Sequence, residues 1–396
     1  MSGPLNGVRV IDMTTVVMGP AATQLLGDLG ADVIKVESAA GDLMRDIGPM
    51  HNPGMGPVFL QANRNKRSIV LNLKEQDGIQ KLRDLVADAD VLVSNIRPQA
   101  MARLGLDYAS ASKINPSIIF CALVGYGEGG PYSGAAVYDD LMQAASGLSG
   151  IFHRVDGKPR YVPVNFCDRV VGLYGVIAIQ AALYHRQLTG EGQEIEVPMF
   201  ETMADFVLAD HLYGRAFVPP LGDTGYPRLL SRTRGPYATR DGYVAVLVYT
   251  DAHWRRFGTL IGRPSLIEED ERLGSLQART TNAEAAGRFL AEEMAKKTTE
   301  EWLLALNAAD IPACRVNSLD DLFDDPHLRA VGFFNPTEHP SEGTLMVPRP
   351  PLGFSRTKLE VRRLAPRLGE HNGEFGIHQA ESVQEPAGPA PGSKSD

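Results

Sequence analysis

An acidic residue directly before a long apolar run is the feature that most constrains this chain. Asp168 precedes the run from Val170 to Leu188, which contains no proline and ends at the glycine-rich turn Thr189–Gly192. This pattern predicts a helix that Asp168 caps at its N-terminus and that a glycine stops. Residues 193–197 then alternate polar and apolar side chains, as a strand does. The stretch therefore predicts one long helix that leads into a strand.

Two roles suit an aspartate at the start of a helix. The commoner role is to cap the helix by accepting hydrogen bonds from backbone N–H groups. Alternatively, the positive end of the helix dipole keeps the carboxylate ionised and available as a nucleophile. Such a carboxylate is weakly basic, so its attack needs close positioning against an activated acyl group. The residues alone favour the cap for Asp168, and they leave the nucleophile open.

Length and composition describe an ordinary soluble globular protein with room for two domains. The chain has 396 residues, of which 43% are hydrophobic and 22% are charged, and its net charge of −9 disfavours nucleic acid as a partner. The N-terminus lacks a signal-peptide pattern and no apolar run approaches membrane-spanning length, so we expect a cytoplasmic protein without membrane contact. Cys121, Cys167 and Cys314 have neither metal-ligand nor disulfide spacing. We expect no metal site, and Cys167 reads as a small buried residue.

Strand and helix patterns alternate through the first half of the chain. Residues 8–13 and 32–37 read as strands around a helix that Gly19-Pro20 opens, which is a β-α-β unit. Further strands are predicted at 68–73, 90–95 and 117–124, with helices between them. We therefore predict an α/β fold with a Rossmann-like, doubly wound parallel sheet.

A dinucleotide site is the first function to weigh for such a unit. Glu37 lies 18 residues after Gly19, close to the spacing of a ribose-binding acid. The turn Val16–Ala21, however, lacks the G-x-G-x-x-G glycines that let a pyrophosphate approach the backbone. The sequence therefore disfavours NAD binding and a dehydrogenase.

Composition changes after residue 200 and indicates where the domains divide. A Pro/Gly-rich segment, Pro219–Pro227, precedes a hairpin signal at Asp241-Gly242 and several helical patterns, which together predict a smaller α+β domain. The predicted divisions are a large α/β domain at 1–200, a linker at 201–227, the small α+β domain at 228–325, a segment returning to the large domain at 326–380 and a disordered tail at 381–396.

Basic and glycine-rich segments near strand ends are candidate ligand sites. Ligands of open α/β sheets bind at the carboxyl ends of the strands, and arginine suits phosphates. Asn95–Pro98 follows one strand and the cluster Asn63–Arg67 precedes another, although a solvated basic face explains such clusters equally well. The loop Gly125–Gly130 is as consistent with a mobile turn as with a ligand cradle.

Short motifs from both ends of the chain form an ordered set. They are Leu5–Asp12, Gly19-Pro20, Gly30–Glu37, Gly41-Asp42 with Arg45, Asn65–Ile69, Asn95–Pro98, Arg103–Gly105, Gly125–Gly127 with Gly130–Tyr132, Tyr138-Asp139, Thr189–Gln193, Asp325–Leu328 and Leu368–His371. This set resembles the family III CoA-transferases, the group that contains formyl-CoA transferase and carnitine CoA-transferase. No single motif is decisive, and the resemblance covers residues 5–375.

The resemblance implies a catalytic residue, a ligand and a partner. It implies that Asp168 is the nucleophile and that two ring-like chains interlock as a homodimer. It also implies that CoA or acyl-CoA is a substrate, with no tightly bound cofactor and no metal. The positions that match CoA contacts of the family are Val17, Met18, Leu71, Asn72, Lys74, Asn95, Ile96, Arg97, Arg103, Tyr138 and Asp139.

The chain also departs from formyl-CoA transferase at four points. That enzyme has a glutamine where this chain has Val17, an arginine near Ser38 and a lysine where this chain has Ala136. It also carries a run of glycines that closes over the intermediate, and residues 219–240 of this chain contain no such run. The acceptor acid is therefore expected to differ from oxalate.

The remaining ligand contacts are only loosely specified by the sequence. Arg45 or Arg67 is a candidate to replace the missing cations. The acyl pocket is expected to draw on residues of the small domain and of the partner chain, and the candidates are Tyr126, Tyr138 and the segment Leu229–Tyr237.

The predicted function is transfer of CoA from an acyl-CoA to a carboxylic acid through an aspartyl anhydride and an aspartyl-CoA thioester. A 2-methylacyl-CoA racemase of the same fold is one alternative, and it needs a base on each face of the α-carbon. Related racemases carry a histidine before the aspartate where this chain has Tyr138-Asp139, and tyrosine is a poor base at neutral pH. A CoA-binding protein without catalytic activity is the other alternative, and it would not need Asp168.

Overall fold

A six-stranded parallel sheet is the largest element of the fold. The computed structural model describes residues 3–377, so the tail predicted at 381–396 lies outside the described residues. The strands are β1 (Arg9–Met13), β2 (Asp32–Glu37), β3 (Lys66–Val70), β4 (Val91–Ser94), β5 (Ile119–Val124) and β6 (Gln193–Pro198). Their order is β3-β2-β1-β4-β5-β6 and every pair is parallel, which confirms the predicted Rossmann-like sheet.

Helices connect successive strands and pack on both faces of the sheet. They are α1 (Met18–Asp28), α2 (Pro57–Ala62), α3 (Gln76–Ala87), α4 (Pro98–Leu104), α5 (Tyr108–Ile114), α6 (Asp139–Ala145), α7 (Leu148–Asp156), α8 (Phe166–Thr189) and α9 (Met199–His211). Three 3-10 helices lie at Leu43–Asp46, Tyr213–Ala216 and Asn372–Phe375. Much of α9 falls in the first half of residues 201–227, the segment predicted as a linker.

Neighbouring residues of the central strands point to opposite faces of the sheet and build two cores. In β1, Val10 packs on the face that α1 and α8 cover, whereas Ile11 packs on the face that α3 covers. Val33 and Ile34 of β2 divide in the same way. Because both faces are buried, these strands are apolar at successive positions, as parallel strands usually are.

The long helix α8 packs closely against α1 and β5 through glycines. A Cβ atom on Gly172 would lie 2.9 Å from the carbonyl oxygen of Met18, and one on Gly175 would lie 2.9 Å from Cδ2 of Leu123. By length and composition alone, this 24-residue helix could cross a membrane. The expectation that no apolar run reaches such a length was therefore wrong, although these contacts are those of a core helix.

The basic cluster Asn63–Arg67 is built into the fold through ion pairs. Each of its three cations contacts a carboxylate of β1, β2 or α1, so the cluster is neither a phosphate site nor a solvated basic face. Sequence patterns did not reveal these pairs because the acids lie 35 to 54 residues earlier in the chain. The pairs are Lys66 with Asp12 at 3.0 Å, Arg64 with Asp28 at 2.7 Å and Arg67 with Asp32 at 2.6 Å.

Residues 363–372 cover the outer edge of strand β3. The N–H of His371 donates to the carbonyl of Ser68 at 3.0 Å, and the N–H of Val70 donates to the Asn372 side chain at 2.9 Å. An uncovered edge strand would offer unpaired backbone groups to other chains. The late part of the chain therefore completes the large sheet.

A smaller α+β region, also as predicted, follows α9. A three-stranded antiparallel sheet packs with five helices around Trp254, Phe257 and Trp302. Its elements are β7 (Tyr237–Ala238), β8 (Tyr243–Val246), α10 (Asp251–Leu260), α11 (Leu266–Glu269), α12 (Leu276–Thr281), α13 (Ala283–Met294), α14 (Thr299–Ala308) and β9 (Ala313–Arg315). Two short helices, α15 (Asp321–Asp324) and α16 (Pro326–Ala330), and the hairpin of β10 (Phe334–His339) and β11 (Gly343–Pro348) come next.

Candidate active site

A cavity of about 330 Å³ opens at the carboxyl ends of β1 and β4. The order of the sheet reverses between these two strands, and open α/β sheets bind ligands at such a point. The walls come from the loop after β1, the segment after β4, the glycine loop after β5 and the first turn of α8, which brings Asp168 to the cavity. The sequence thus directs four separate segments to one site.

The loop after β1 has a strained conformation beside this cavity. Val16 has a φ of +72°, a left-handed conformation that costs a β-branched residue about 1–3 kcal/mol. Its N–H donates to Asp42 at 3.1 Å. The Asn95 side chain accepts from the N–H of Thr15 at 3.1 Å and donates to its carbonyl at 2.9 Å. Asn95, predicted as a CoA contact, therefore fixes the wall of the cavity.

Asp168 is the third residue of α8 and is 9% exposed. The predicted role as a cap was wrong, because the helix begins at Phe166 and Asn165 occupies the capping position without a side-chain hydrogen bond. The N–H of Asp168 instead donates to Oδ1 of Asp139 at 2.9 Å. A carboxylate from α6 therefore satisfies the backbone at the start of α8 and leaves the Asp168 side chain at the cavity.

Gln143 holds this arrangement together, and sequence reasoning missed it. Its side-chain nitrogen donates to Oδ2 of Asp139 at 2.6 Å, and its side-chain oxygen accepts from the N–H of Val162 at 2.8 Å. The side chain is fully buried and links α6 to the segment that enters α8. The spacing of four residues from Asp139, which sets both on one helix face, was the available signal.

The pKa of the Asp168 carboxyl is raised to about 7. Burial is the largest cause, the negative charge of Asp139 adds to it, and Arg169 opposes both. The expectation that the helix end makes this carboxylate weakly basic was therefore wrong. Near neutral pH the group is partly ionised, and its ionised form is more basic than an ordinary aspartate.

Cys167 takes no part in this chemistry. Its thiol is fully buried, and burial together with the charges of Asp139 and Asp168 raises its pKa to about 12. A thiol in that state is not nucleophilic at neutral pH. The interpretation of Cys167 as a small buried residue is confirmed.

The structure brings some of the predicted CoA contacts to the cavity and leaves others outside it. Leu71 is buried in the core beside α3, whereas Asn72 and Lys74 are exposed where β3 ends. Those that line the cavity are Met18, Asn95, Ile96, Arg97 and Tyr138, and those that do not are Val17, Leu71, Asn72, Lys74, Arg103 and Asp139.

The lining of the cavity is acidic. Among the residues that the structure describes, Arg97 is its one arginine or lysine, whereas five carboxylates line it: Asp107, Glu128, Asp168, Glu194 and Glu196. Burial raises the pKa of Glu194, and the neighbouring Glu128, Glu196 and Asp107 raise it further.

Neither candidate for the missing cations lies at the cavity. Arg45 is buried and contacts both carboxylate oxygens of Glu37, at 2.8 and 2.7 Å. Arg67 pairs with Asp32 and Glu374. The expectation that either arginine replaces a cation of formyl-CoA transferase was therefore wrong, because each is committed to an internal ion pair.

The glycine loop is braced by carboxylates. The N–H groups of Gly127 and Glu128 donate to Glu201 and Glu196, each at 3.0 Å. Tyr126, which lines the cavity, packs against Phe200 with ring centres 5.3 Å apart. The loop is therefore a fixed wall of the cavity rather than a free turn.

We expect the substitution Asp168→Asn to stabilise the fold at pH 8 by about 1–3 kcal/mol, since each pKa unit corresponds to 1.36 kcal/mol. The folded-state pKa of Asp168, about 7, lies above the ordinary aspartate value of 3.8. Above pH 7 the wild type therefore buries an unfavourable charge that asparagine lacks. As the pH falls toward 4 the folded carboxyl takes up a proton, and the advantage of the variant disappears.

Urea unfolding at pH 8 and pH 5 measures this difference. Asp140→Asn is the matched control, because Asp140 is the exposed neighbour of Asp139 on the same helix. An Asp168→Asn protein that is no more stable than wild type at pH 8 would contradict the raised pKa.

Comparison with known proteins identifies the family. The model of CoA-transferase family III matches residues 5–372. The succinate–glutarate CoA-transferase of Agrobacterium fabrum is 34% identical over 400 residues, which cover 98% of this chain and 98% of that protein. The formyl-CoA:oxalate CoA-transferase of Streptomyces coelicolor is 34% identical and covers 95% of this chain and 96% of its own length.

A solved structure agrees with these sequence matches. A CaiB/BaiF family protein from Brucella suis has a TM-score of 0.79 and 33% identity to this chain, and the match covers 95% of this chain and 99% of that one. Matches of this extent, together with a cavity at the switch point of the sheet and a buried aspartate at its wall, lead to one assignment. The chain belongs to the family III CoA-transferases.

Proposed function

We propose that this chain moves CoA from an acyl-CoA donor to a carboxylic acid through covalent chemistry at Asp168. The observation that carries the proposal is the buried, basic carboxylate of Asp168 at the cavity. Relatives named for succinate, glutarate and oxalate support a dicarboxylic acid as one of the substrates. In this proposal one chain provides both the cavity and the reacting carboxylate.

Four acyl exchanges complete the reaction. The Asp168 carboxylate attacks the donor thioester and expels CoA thiolate, which leaves a mixed anhydride. The thiolate attacks the aspartyl carbonyl, releases the donor acid as a carboxylate and forms an aspartyl-CoA thioester. The acceptor carboxylate attacks that thioester, expels the thiolate and forms a second anhydride. The thiolate then attacks the acceptor acyl carbon and frees Asp168. These four steps need neither ATP nor a metal ion.

The environment of Asp168 favours its acylation. Burial and the charge of Asp139 make the free carboxylate costly, as its raised pKa indicates. An anhydride or thioester at this side chain is neutral, so its formation removes the repulsion. The hydrogen bond from the Asp168 N–H to Asp139 keeps that repelling charge in position throughout the cycle.

The CoA moiety is assigned to the carboxyl edge of the sheet. Met18 and Ile96 offer apolar contacts to the pantetheine arm, and Arg97 offers a guanidinium to a phosphate. Neighbouring strands lie about 4.8 Å apart, so an extended ligand can continue from the cavity past β2 to Asn72 and Lys74. These exposed residues then contact the nucleotide end.

Acylation is tested by mass spectrometry after incubation with a panel of acyl-CoAs in D2O, with and without hydroxylamine. We expect a hydroxamate on the peptide that carries Asp168, and we expect Asp168→Asn to lose more than 99% of transfer, since removal of a nucleophile costs several orders of magnitude. Asp140→Asn is the control and keeps its activity. An unmodified Asp168 with deuterium at the substrate α-carbon would instead establish a racemase. Bound CoA with neither signal would leave a binding protein.

The pH profile is a separate test, because only the ionised carboxylate attacks. We expect kcat/KM to fall as the pH drops through about 7, the pKa of Asp168. Asp139→Asn removes a negative charge but keeps an oxygen to accept from the Asp168 N–H, so the midpoint should move down by about one pH unit. Asp140→Asn should leave it unchanged. An unmoved midpoint in Asp139→Asn would exclude the charge of Asp139 as a cause.

We also propose that two copies of the chain form the interlocked homodimer that the resemblance implies. Large apolar side chains on α8, α9 and the segment after them are exposed in the single chain, and contiguous patches of this kind mark interfaces. They include Leu173, Ile177, Tyr184 and Leu188 on α8, Phe206 and Leu208 on α9, and Phe217, Val218 and Leu221 beyond it.

Sedimentation velocity measures the assembly directly. We expect a species of twice the chain mass of 42.9 kDa. Ile177→Lys should shift it toward the monomer, because Ile177 is 63% exposed on α8. Leu304→Lys, a similarly exposed leucine of α14, should not. A wild-type protein that sediments as a monomer would refute the dimer.

A further inference from the structure

The small α+β region contains a second cavity, with a volume of about 370 Å³. It lies among the strands β7 and β8, the helices α12 and α13 and the segment from residue 228 to 237. Its apolar walls include Val246, Val248, Trp254, Leu276 and Leu290. That volume accommodates a small organic molecule.

The charge of this cavity is opposite to that of the first. Three arginines line it, Arg228, Arg234 and Arg279, and of the residues described here no aspartate or glutamate does. Arg279 is buried and forms an ion pair with Asp251. Within residues 3–377, Arg228 and Arg234 have no ion-pair partner, so two guanidinium groups are left uncompensated at the cavity.

Hydroxyl groups add neutral donors and acceptors to this lining. Ser231, Thr233 and Thr280 all line the cavity, and the hydroxyls of Ser231 and Thr233 lie 2.8 Å apart. Arg228 is held beside the ring of Tyr249, with its guanidinium carbon 4.9 Å from the ring centre. Stacking of this kind pre-orients the planar guanidinium for two-pronged contact with a carboxylate.

We propose that this cavity binds a dicarboxylate and so captures the acidic substrate of the reaction. Two uncompensated guanidinium groups balance the two charges of such an acid, and the apolar walls suit its methylene chain. The Asp168 cavity has one arginine against five carboxylates, so it offers a dicarboxylate less charge compensation than this cavity does. The role of the bound acid as a substrate rests on the proposed CoA transfer, whereas its binding does not.

Tryptophan fluorescence reports on this cavity specifically. Trp254 lines it, the other tryptophan of the chain is Trp302, and neither lines the Asp168 cavity. The full-length protein, with Trp302→Phe to isolate the signal, is titrated with glutarate, with pentanoate of the same chain length and with CoA. We expect glutarate to change the signal in a saturable way and to bind at least tenfold more tightly than pentanoate and CoA.

Arginine variants test the contacts. Arg228→Gln and Arg234→Gln should each weaken glutarate binding at least tenfold, while Arg255→Gln, an exposed arginine of α10 outside the cavity, leaves it unchanged. Equal binding by all variants, a preference for CoA or no binding of glutarate would overturn the inference. The same titration with Asp168→Asn separates the two proposals, because Asp168 does not line this cavity and the variant should bind glutarate as wild type does. Glutarate binding without CoA transfer by wild type would refute the proposed function alone, and transfer without arginine-dependent binding would refute this inference alone.

Discussion

The wall of the Asp168 cavity depends on two lysines that are buried in the central sheet. Lys66 contacts Asp12, and Lys35 contacts both Asp42 and the carbonyl of Thr14. Burial lowers the pKa of Lys66 to about 8 against the opposing charge of Asp12, and removal of one partner from such a pair costs about 3–5 kcal/mol. The same Asp42 accepts from the N–H of Val16. Buried ion pairs therefore hold the strained loop at the cavity. Movement of the loop would leave a buried ion without its partner.

The two carboxylates Asp139 and Asp168 form a pair of like charges at this wall, and in the proposed mechanism their repulsion makes Asp168 reactive. Asp139 accepts the N–H of Asp168 and also raises the pKa of its side chain, so one carboxylate both positions and destabilises another. An ordinary capping residue such as serine would satisfy the N–H without the charge. Aspartate at this position therefore lowers stability, and in the proposed mechanism the same charge provides a more basic nucleophile, which is a usual relation between active sites and stability.

The sequence predicted regular elements better than it predicted electrostatics. The strand predicted at 32–37 coincides with β2, and the β-α-β alternation led to the correct sheet. The pattern did not show that Asp168 lies inside the first turn, because Phe166 extends the helix back past it. It also did not reveal the partners of Arg45 or the contact between Gln143 and Val162, since pairs formed across the fold have no fixed spacing in the chain.

The two cavities differ in the charge of their linings, and the two proposals together divide the recognition of substrates between them on that basis. In the proposed cycle the acyl-CoA reacts at the Asp168 cavity, and acylation of Asp168 removes one of the five carboxylate charges that line it. A free dicarboxylate meets repulsion at that cavity and attraction at the small region, where Arg228 and Arg234 are uncompensated. On these proposals, the free acid and the acyl-CoA compete less directly for Asp168. In the proposed cycle the acid bound at the small region must still reach Asp168 before its carboxylate can attack, so capture and reaction are separate steps.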